Sequence, residues 1–95
     1  MDLEFTGEII EWRGPAPFYF VATPDEESAA IEAVADIVTY GWGAIPAKVT
    51  IGRTEFNTSL FPRGETYLVP IKAAVRRAER LTLGDRVTVH LYLDV

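Results

Sequence analysis

The sequence predicts a mainly β domain with short α insertions: a small closed or nearly closed antiparallel β-barrel of about six strands, one long helix and one short helix. Three observations predict it. Six segments carry apolar residues at alternate positions, the period of a strand with one wet face. Most are joined by tight turns containing Gly or Pro, which antiparallel pairing permits and parallel pairing does not. Six such strands in 95 residues would expose long edges unless the sheet curls on itself. An open α+β sandwich is the runner-up.

The first strand is LEFTGEIIEW, residues 3–12. Leu3, Phe5 and Gly7 share one face, and the alternation slips at Ile9-Ile10, the mark of a bulge. Residues 13–17 hold Gly14, Pro15 and Pro17 and form a loop. FYFVA, residues 18–22, is a second strand that pairs with the first. Thr23-Pro24-Asp25-Glu26 opens the long helix: Thr23 as N-cap, Pro24 in the first turn, and Glu26 closing a capping box. Asp25, Glu26 and Glu27 sit where the helix dipole favours negative charge, so they read as a helix start and not as a metal cluster. Ile31, Val34 and Val38 make the buried stripe, and the helix stops near Tyr40 because Gly41 suits a helix C-terminus.

AKVTI, residues 47–51, alternates cleanly, and Gly52-Arg53 has the chemistry of a type II′ hairpin turn. TEFNTSLF returns, with Thr54, Phe56, Thr58 and Leu60 on one face and Glu55, Asn57, Ser59 and Phe61 on the other. Pro62-Arg63-Gly64 turns again, and ETYLVPI is a strand that Pro70 ends. KAAVRRAER, residues 72–80, is a short helix with Ala73 or Ala74, Val75 and Ala78 towards the core. After the turn at Gly84-Asp85, RVTVHLYLDV places Val87, Val89, Leu91, Leu93 and Val95 on one face and His90 and Tyr92 on the other.

The totals bound the function. The chain reads as a single domain, residues 1–95, since either half would be too small to bury a core. There is no Cys, which excludes a disulfide scaffold and thiolate metal sites, and one His argues against a nitrogen-rich zinc site. No stretch approaches the ~20 apolar residues of a membrane-spanning helix, and the N-terminus lacks a signal-like apolar run, so a soluble, cytoplasmic protein is expected. The Asn57-Thr58-Ser59 sequon is then idle. Net charge is −5, split into −8 over residues 1–40 and +3 over residues 41–95. The acidic total argues against nucleic acid as a partner, because phosphate neutralisation supplies most of that affinity. The basic second half keeps the possibility of a local cationic face.

The runs GWGAIPAKVTIG, TSLFP, YLVPIKAAVR and LTLGDRVTVHL, together with GEIIEWRGPAPFYFVATP, resemble the domain-of-unknown-function family numbered nineteen hundred and five. The resemblance spans essentially the whole chain. It implies a small β-barrel with helical insertions and no agreed activity; such domains also occur joined to a bacteriocin-protection (OmpD-associated) region. Separately, VPIKAAVRRAERLTLGDRVTV is similar to the strand-helix-turn-strand of AbrB-like DNA-binding proteins, though the chain is acidic where those are basic.

Candidate site residues are few. Trp42, between Gly41 and Gly43, either plugs the barrel end or lines a pocket, with Trp12, Phe18 and Phe20 as candidate neighbours. Lys72 and Arg76 are spaced i, i+4 on the short helix, and Arg53 sits at a hairpin tip. With the hydroxyls of Thr58 and Ser59 they form a candidate anion site. The competing reading pairs Arg76 with Glu79, Asp85 or Glu65 and leaves Lys72 in water; Arg77 and Arg80 are expected to face water in either case. His90 lacks an evident nucleophile, a triad with Ser59 being the one arrangement conceivable. Gly41-Trp42-Gly43 lacks the further residues of a phosphate loop. Nothing in the sequence asks for a metal or cofactor. The expectation is therefore a non-enzymatic binding module, monomeric or weakly dimeric, for a small anionic or amphipathic ligand or a protein partner near Trp42, Arg53, Lys72 and Arg76. The alternatives are a nucleic-acid-binding barrel using the basic half and a weak hydrolase around His90.

Overall fold

A computed structural model describes residues 1–13, 18–38 (side chains through residue 35) and 44–95. The elements run β1 (Asp2–Glu8), β2 (Ile10–Trp12), β3 (Phe18–Ala22), α1 (Asp25–Val38), β4 (Ile45–Ile51), β5 (Thr54–Arg63), β6 (Thr66–Pro70), α2 (Ala73–Glu79) and β7 (Arg86–Tyr92). The seven strands form one antiparallel sheet in the order β1-β7-β4-β5-β6-β3-β2. This is mainly β, as expected, but the sheet is an open half-barrel of seven strands, not the closed or nearly closed barrel of about six that the sequence predicts.

The difference arises at Ile9. The expected first strand is two strands, β1 on β7 at one end of the sheet and β2 on β3 at the other. Between them Ile9 leaves both ladders. Its N–H donates to Asp85 O at 2.8 Å, and its carbonyl accepts the Gly84 N–H at 2.9 Å. Its side chain is fully buried. The two sheet edges are thus successive segments of chain bent towards each other, with no β1–β2 ladder between them.

Gly7 shows how close the bent strand comes to β3. A Cβ at Gly7 would lie 2.6 Å from the Val21 side chain, which is itself fully buried. Only a residue without a side chain lets the backbones approach that far.

Inward-facing residues of the sheet form the core: Phe5, Val21, Val49, Leu60, Val69, Val89 and Leu91, sealed by Ile31 of α1 and Val75 of α2. Burying each such side chain is worth roughly 1.5–3 kcal/mol before entropy is set against it. Val34 packs against this core from α1. Val38's side chain and the expected helix stop at Tyr40–Gly41 fall outside the described residues, as does the loop at residues 14–17.

Several local expectations are corrected. The β5–β6 turn is Gly64-Glu65, with Gly64 at φ 61°, and Pro62 and Arg63 belong to β5, facing Tyr67 and Thr66. Pro62 is tolerated because the β4 ladder reaches β5 only as far as Leu60, so the missing N–H costs no bond on that side. In α2 only Val75 is buried, while Ala73, Ala74 and Ala78 face out. Val95 is exposed beyond the end of β7. Thr23 does not serve simply as a helix cap: its hydroxyl accepts the Tyr67 N–H at 3.1 Å and lies 2.6 Å from the Ser28 hydroxyl, tying α1 to β6. The hairpin at Gly52-Arg53 matches expectation, with φ 61° at Gly52 and no positive φ at Arg53.

Tyr67 extends the α1–β6 tie by donating from its hydroxyl to Glu32 Oε2 at 2.6 Å. Burial, then the hydrogen bond to and the charge of Glu32, push its pKa from 10.0 up to about 12. A raised pKa means the neutral phenol is the form the fold favours. That stabilisation is intact below the ordinary value of 10.0 and is lost as pH rises through about 12. Absorbance titration of the phenolates is expected to show one tyrosine ionising late, and Glu32→Gln to bring it back towards 10.0. Gly7→Ala is expected to destabilise by about 1–3 kcal/mol in urea unfolding, as overpacking does, with Val21→Ala in the same chain restoring part of the loss.

Candidate anion-binding site

The cations singled out in the sequence do not form one cluster. Arg53 sits in the β4–β5 turn, and the anion at that turn is the protein's own Glu79. Its Oε2 accepts the Thr54 hydroxyl at 2.5 Å and the Arg53 N–H at 3.3 Å. The carboxylate sits where a Gly52 side chain would begin, so the turn glycine serves both its φ and this contact. Lys72 precedes α2 in extended conformation, at φ −65° and ψ 154°. The i, i+4 face imagined for Lys72 and Arg76 therefore does not exist, because the first of the pair is not helical. Lys72 Nζ instead donates to Asn57 O at 3.2 Å, beside a furrow lined in part by Thr58, Ser59 and Phe61. The proximity of Lys72 to Thr58 and Ser59 was legible in the sequence; the separation from Arg53 was not.

Arg76 takes another course. Its guanidinium carbon lies 3.8 Å from the centroid of the Tyr19 ring, in cation–π contact. Tyr19 is itself packed against the core, and its carbonyl accepts the Ile71 N–H at 2.9 Å, which ties β3 to the start of α2. Arg76 is therefore held in place from below. None of Glu79, Asp85 or Glu65 forms an ion pair with it: the Glu79 carboxylate is bound to the hairpin, and Asp85 Oδ2 accepts the Thr82 N–H at 2.9 Å.

Arg77 and Arg80 flank Arg76, both exposed. The three line a cleft of about 480 Å³ with Tyr19, Leu81, Thr82 and Leu83, and Leu83 is 49% exposed. No acid is among the described residues lining it, and no described carboxylate forms an ion pair with Arg76, Arg77 or Arg80. A larger furrow of about 740 Å³ is lined by both Lys48 and Asp94, one charge of each sign, and Lys48 Nζ lies 4.0 Å from Glu55 Oε1. Sequence reading named Arg76 and left Arg77 and Arg80 to solvent. The available signal was three arginines in five residues of an acidic chain.

The remaining candidates separate. Trp42 lies outside the described residues. Trp12, Phe18 and Phe20 do meet, with ring centroids 5.5 and 5.4 Å apart along the row. His90 Nε2 is 3.5 Å from Asp2 Oδ1, and both groups are largely exposed. Register puts His90 opposite Thr50 and Ser59 opposite Pro46, four residues apart along β4, or about 13 Å at strand rise. The triad with Ser59 is not assembled. Among the described residues no group of three or more His, Asp or Glu is placed to hold a metal, Asp25, Glu26 and Glu27 included. No helix among the described residues is long and apolar enough to cross a membrane.

A family model described as Domain of unknown function (DUF1905) matches residues 5–91. The chain belongs to that family. The matched span runs from within β1 nearly to the end of β7, so it takes in the bend at Ile9, both helices and the arginine cleft. No curated protein matches the chain.

Glu79→Ala removes the carboxylate that joins α2 to the hairpin. It is expected to cost about 1–2 kcal/mol, the scale of lost charge-assisted hydrogen bonds near a surface, read as a lower urea midpoint at unchanged m-value.

Proposed function

We propose that this DUF1905 domain is a non-enzymatic binding module whose ligand is a small amphipathic anion held in the α2 cleft. One observation carries the reading: Arg76, Arg77 and Arg80 crowd the end of one short helix with no carboxylate among the described residues paired with them, in a chain whose net charge is −5. Other cations of the chain also lack ion pairs among the described residues, but these three are gathered at one helix end and line one cleft. Leu83 and Leu81 beside them offer apolar surface to an organic tail. Arg76 is the anchor, since its stack on Tyr19 orients the guanidinium before any ligand arrives, and preorganisation lowers the cost of binding. Residence in the cytoplasm suits such a module and remains part of the proposal.

The same arginines lie in the stretch similar to AbrB-like proteins, so a nucleic-acid reading would use the same face. The two differ in salt response: phosphodiester binding falls steeply with ionic strength, whereas an amphiphile keeps the part of its affinity that comes from its apolar tail.

Alkyl carboxylates and alkyl phosphates are expected to raise the melting temperature of the domain, as any ligand of the folded state does. Arg76→Ala is expected to weaken their binding at least about tenfold by isothermal titration, equivalent to about 1.4 kcal/mol. Loss of the stack on Tyr19 should cost the unliganded fold only about 0.5–1 kcal/mol. A shift produced by oligonucleotides alone would transfer the cleft to the nucleic-acid reading.

A further inference from the structure

The cleft offers more positive charge than one carboxylate can use. A carboxylate neutralises one of three guanidinia. A phosphate monoester near neutral pH carries about −1.5 to −2 charges and three acceptor oxygens that match arginine forks. The charge count therefore favours a phosphate headgroup.

A second observation concerns Arg80 itself. Among the described residues it is the only non-glycine with positive φ, at 55°. It ends α2 in the left-handed conformation, where its N–H bonds Arg77 O at 3.3 Å and the next N–H, of Leu81, bonds Arg76 O at 2.8 Å. That is the helix-ending pattern in which glycine is the usual residue, because a Cβ there crowds the backbone. The closure uses only backbone atoms, so the fold gains nothing from an arginine side chain at this position through those bonds. Nor is Arg80 required as a cation for the helix dipole, since Arg76 and Arg77 already occupy the last turn. Its guanidinium has no ion-pair partner among the described residues, and it lines the cleft.

Resting on the anion-binding reading of this cleft, we infer that its ligand carries a terminal phosphate group and that Arg80 selects phosphate over carboxylate. Arg76, stacked on Tyr19, holds the headgroup from one side. Arg80, projected from the left-handed turn, supplies the charge that a carboxylate leaves unmatched. Leu83 meets the organic part.

The test compares decyl phosphate with decanoate, which share the same chain length and differ in headgroup, by isothermal titration on the full chain below micellar concentration. Decyl phosphate is expected to bind about tenfold more tightly. Arg80→Gly and Arg80→Asn, both residues that accept the left-handed conformation, are expected to erase that preference. Arg80→Gly is also expected to leave the melting temperature unchanged or raise it by about 2–5 °C, since the left-handed strain is relieved. Inorganic pyrophosphate run alongside separates a soluble phosphate compound from a lipid-like one, and binding of either kind supports the proposal. Equal affinities for the two amphiphiles, both lost in Arg76→Ala, would overturn the phosphate assignment and leave the cleft reading standing. Binding of neither amphiphile nor pyrophosphate would remove both. A preference that survives the two Arg80 substitutions, or a lower melting temperature in Arg80→Gly, would overturn the role given to Arg80.

Discussion

Two backbone hydrogen bonds at Ile9 organise the molecule. Ile9 is the residue at which one chain segment stops pairing with β7 and starts pairing with β3, and the turn before β7 holds both of its backbone polar groups. A buried residue between two ladders would otherwise leave an N–H and a carbonyl unsatisfied, at a cost of about 1–3 kcal/mol for each group. With those bonds made, the bend brings the two ends of a seven-stranded sheet towards each other and gives the inner face its curvature. The requirement for glycine at position 7 follows, because the bend presses β1 against Val21. So does the position of Gly84 and Asp85, whose backbone atoms lock the bend.

The helices then close the concave face, and their charges are disposed accordingly. The acids at the start of α1 lie where the helix dipole favours them. Inside that helix Glu32 is committed to Tyr67, and in α2 Glu79 is committed to the β4–β5 hairpin. Both carboxylates serve as internal ties, and Glu79, although it lies in α2 beside the arginines, is turned to the hairpin. The acidic balance of the chain and its cationic helix are therefore compatible: of the acids next to the arginines in the chain, Glu79 is bound to the hairpin and Asp85 to the Thr82 N–H. Arg53, grouped with those arginines from sequence, belongs to the Glu79 tie, and Lys72 belongs to the furrow beside Asn57.

Much of this was readable from the residues. Alternation located β4 and β7 to within a few positions, because a sheet with one buried face imposes a period of two, and the short aromatic run FYFVA located β3. The slip at Ile9-Ile10 marked the bend. The Gly52-Arg53 turn was readable because few residues accept its backbone angles. Other features were hidden. Pro62 looked like a turn residue because proline lacks an N–H, and only the place where the β4 ladder stops makes that lack harmless. The alanines of α2 looked inward because small apolar residues are neutral evidence, and the helix rotates to bury Val75 alone.

By itself, then, the sequence determined the class of fold, the strand faces and the helix starts, since these follow from local periodicity and turn chemistry, and its resemblance to a family, which the match over residues 5–91 bears out. The tertiary structure alone decided that the sheet stays open, which cations share a cleft, and that Arg80 stands in a left-handed turn. Those depend on register, on where ladders end and on which carboxylate reaches which donor. Such contacts join residues as distant as Ile9 and Asp85, and spacing along the chain carries no record of them.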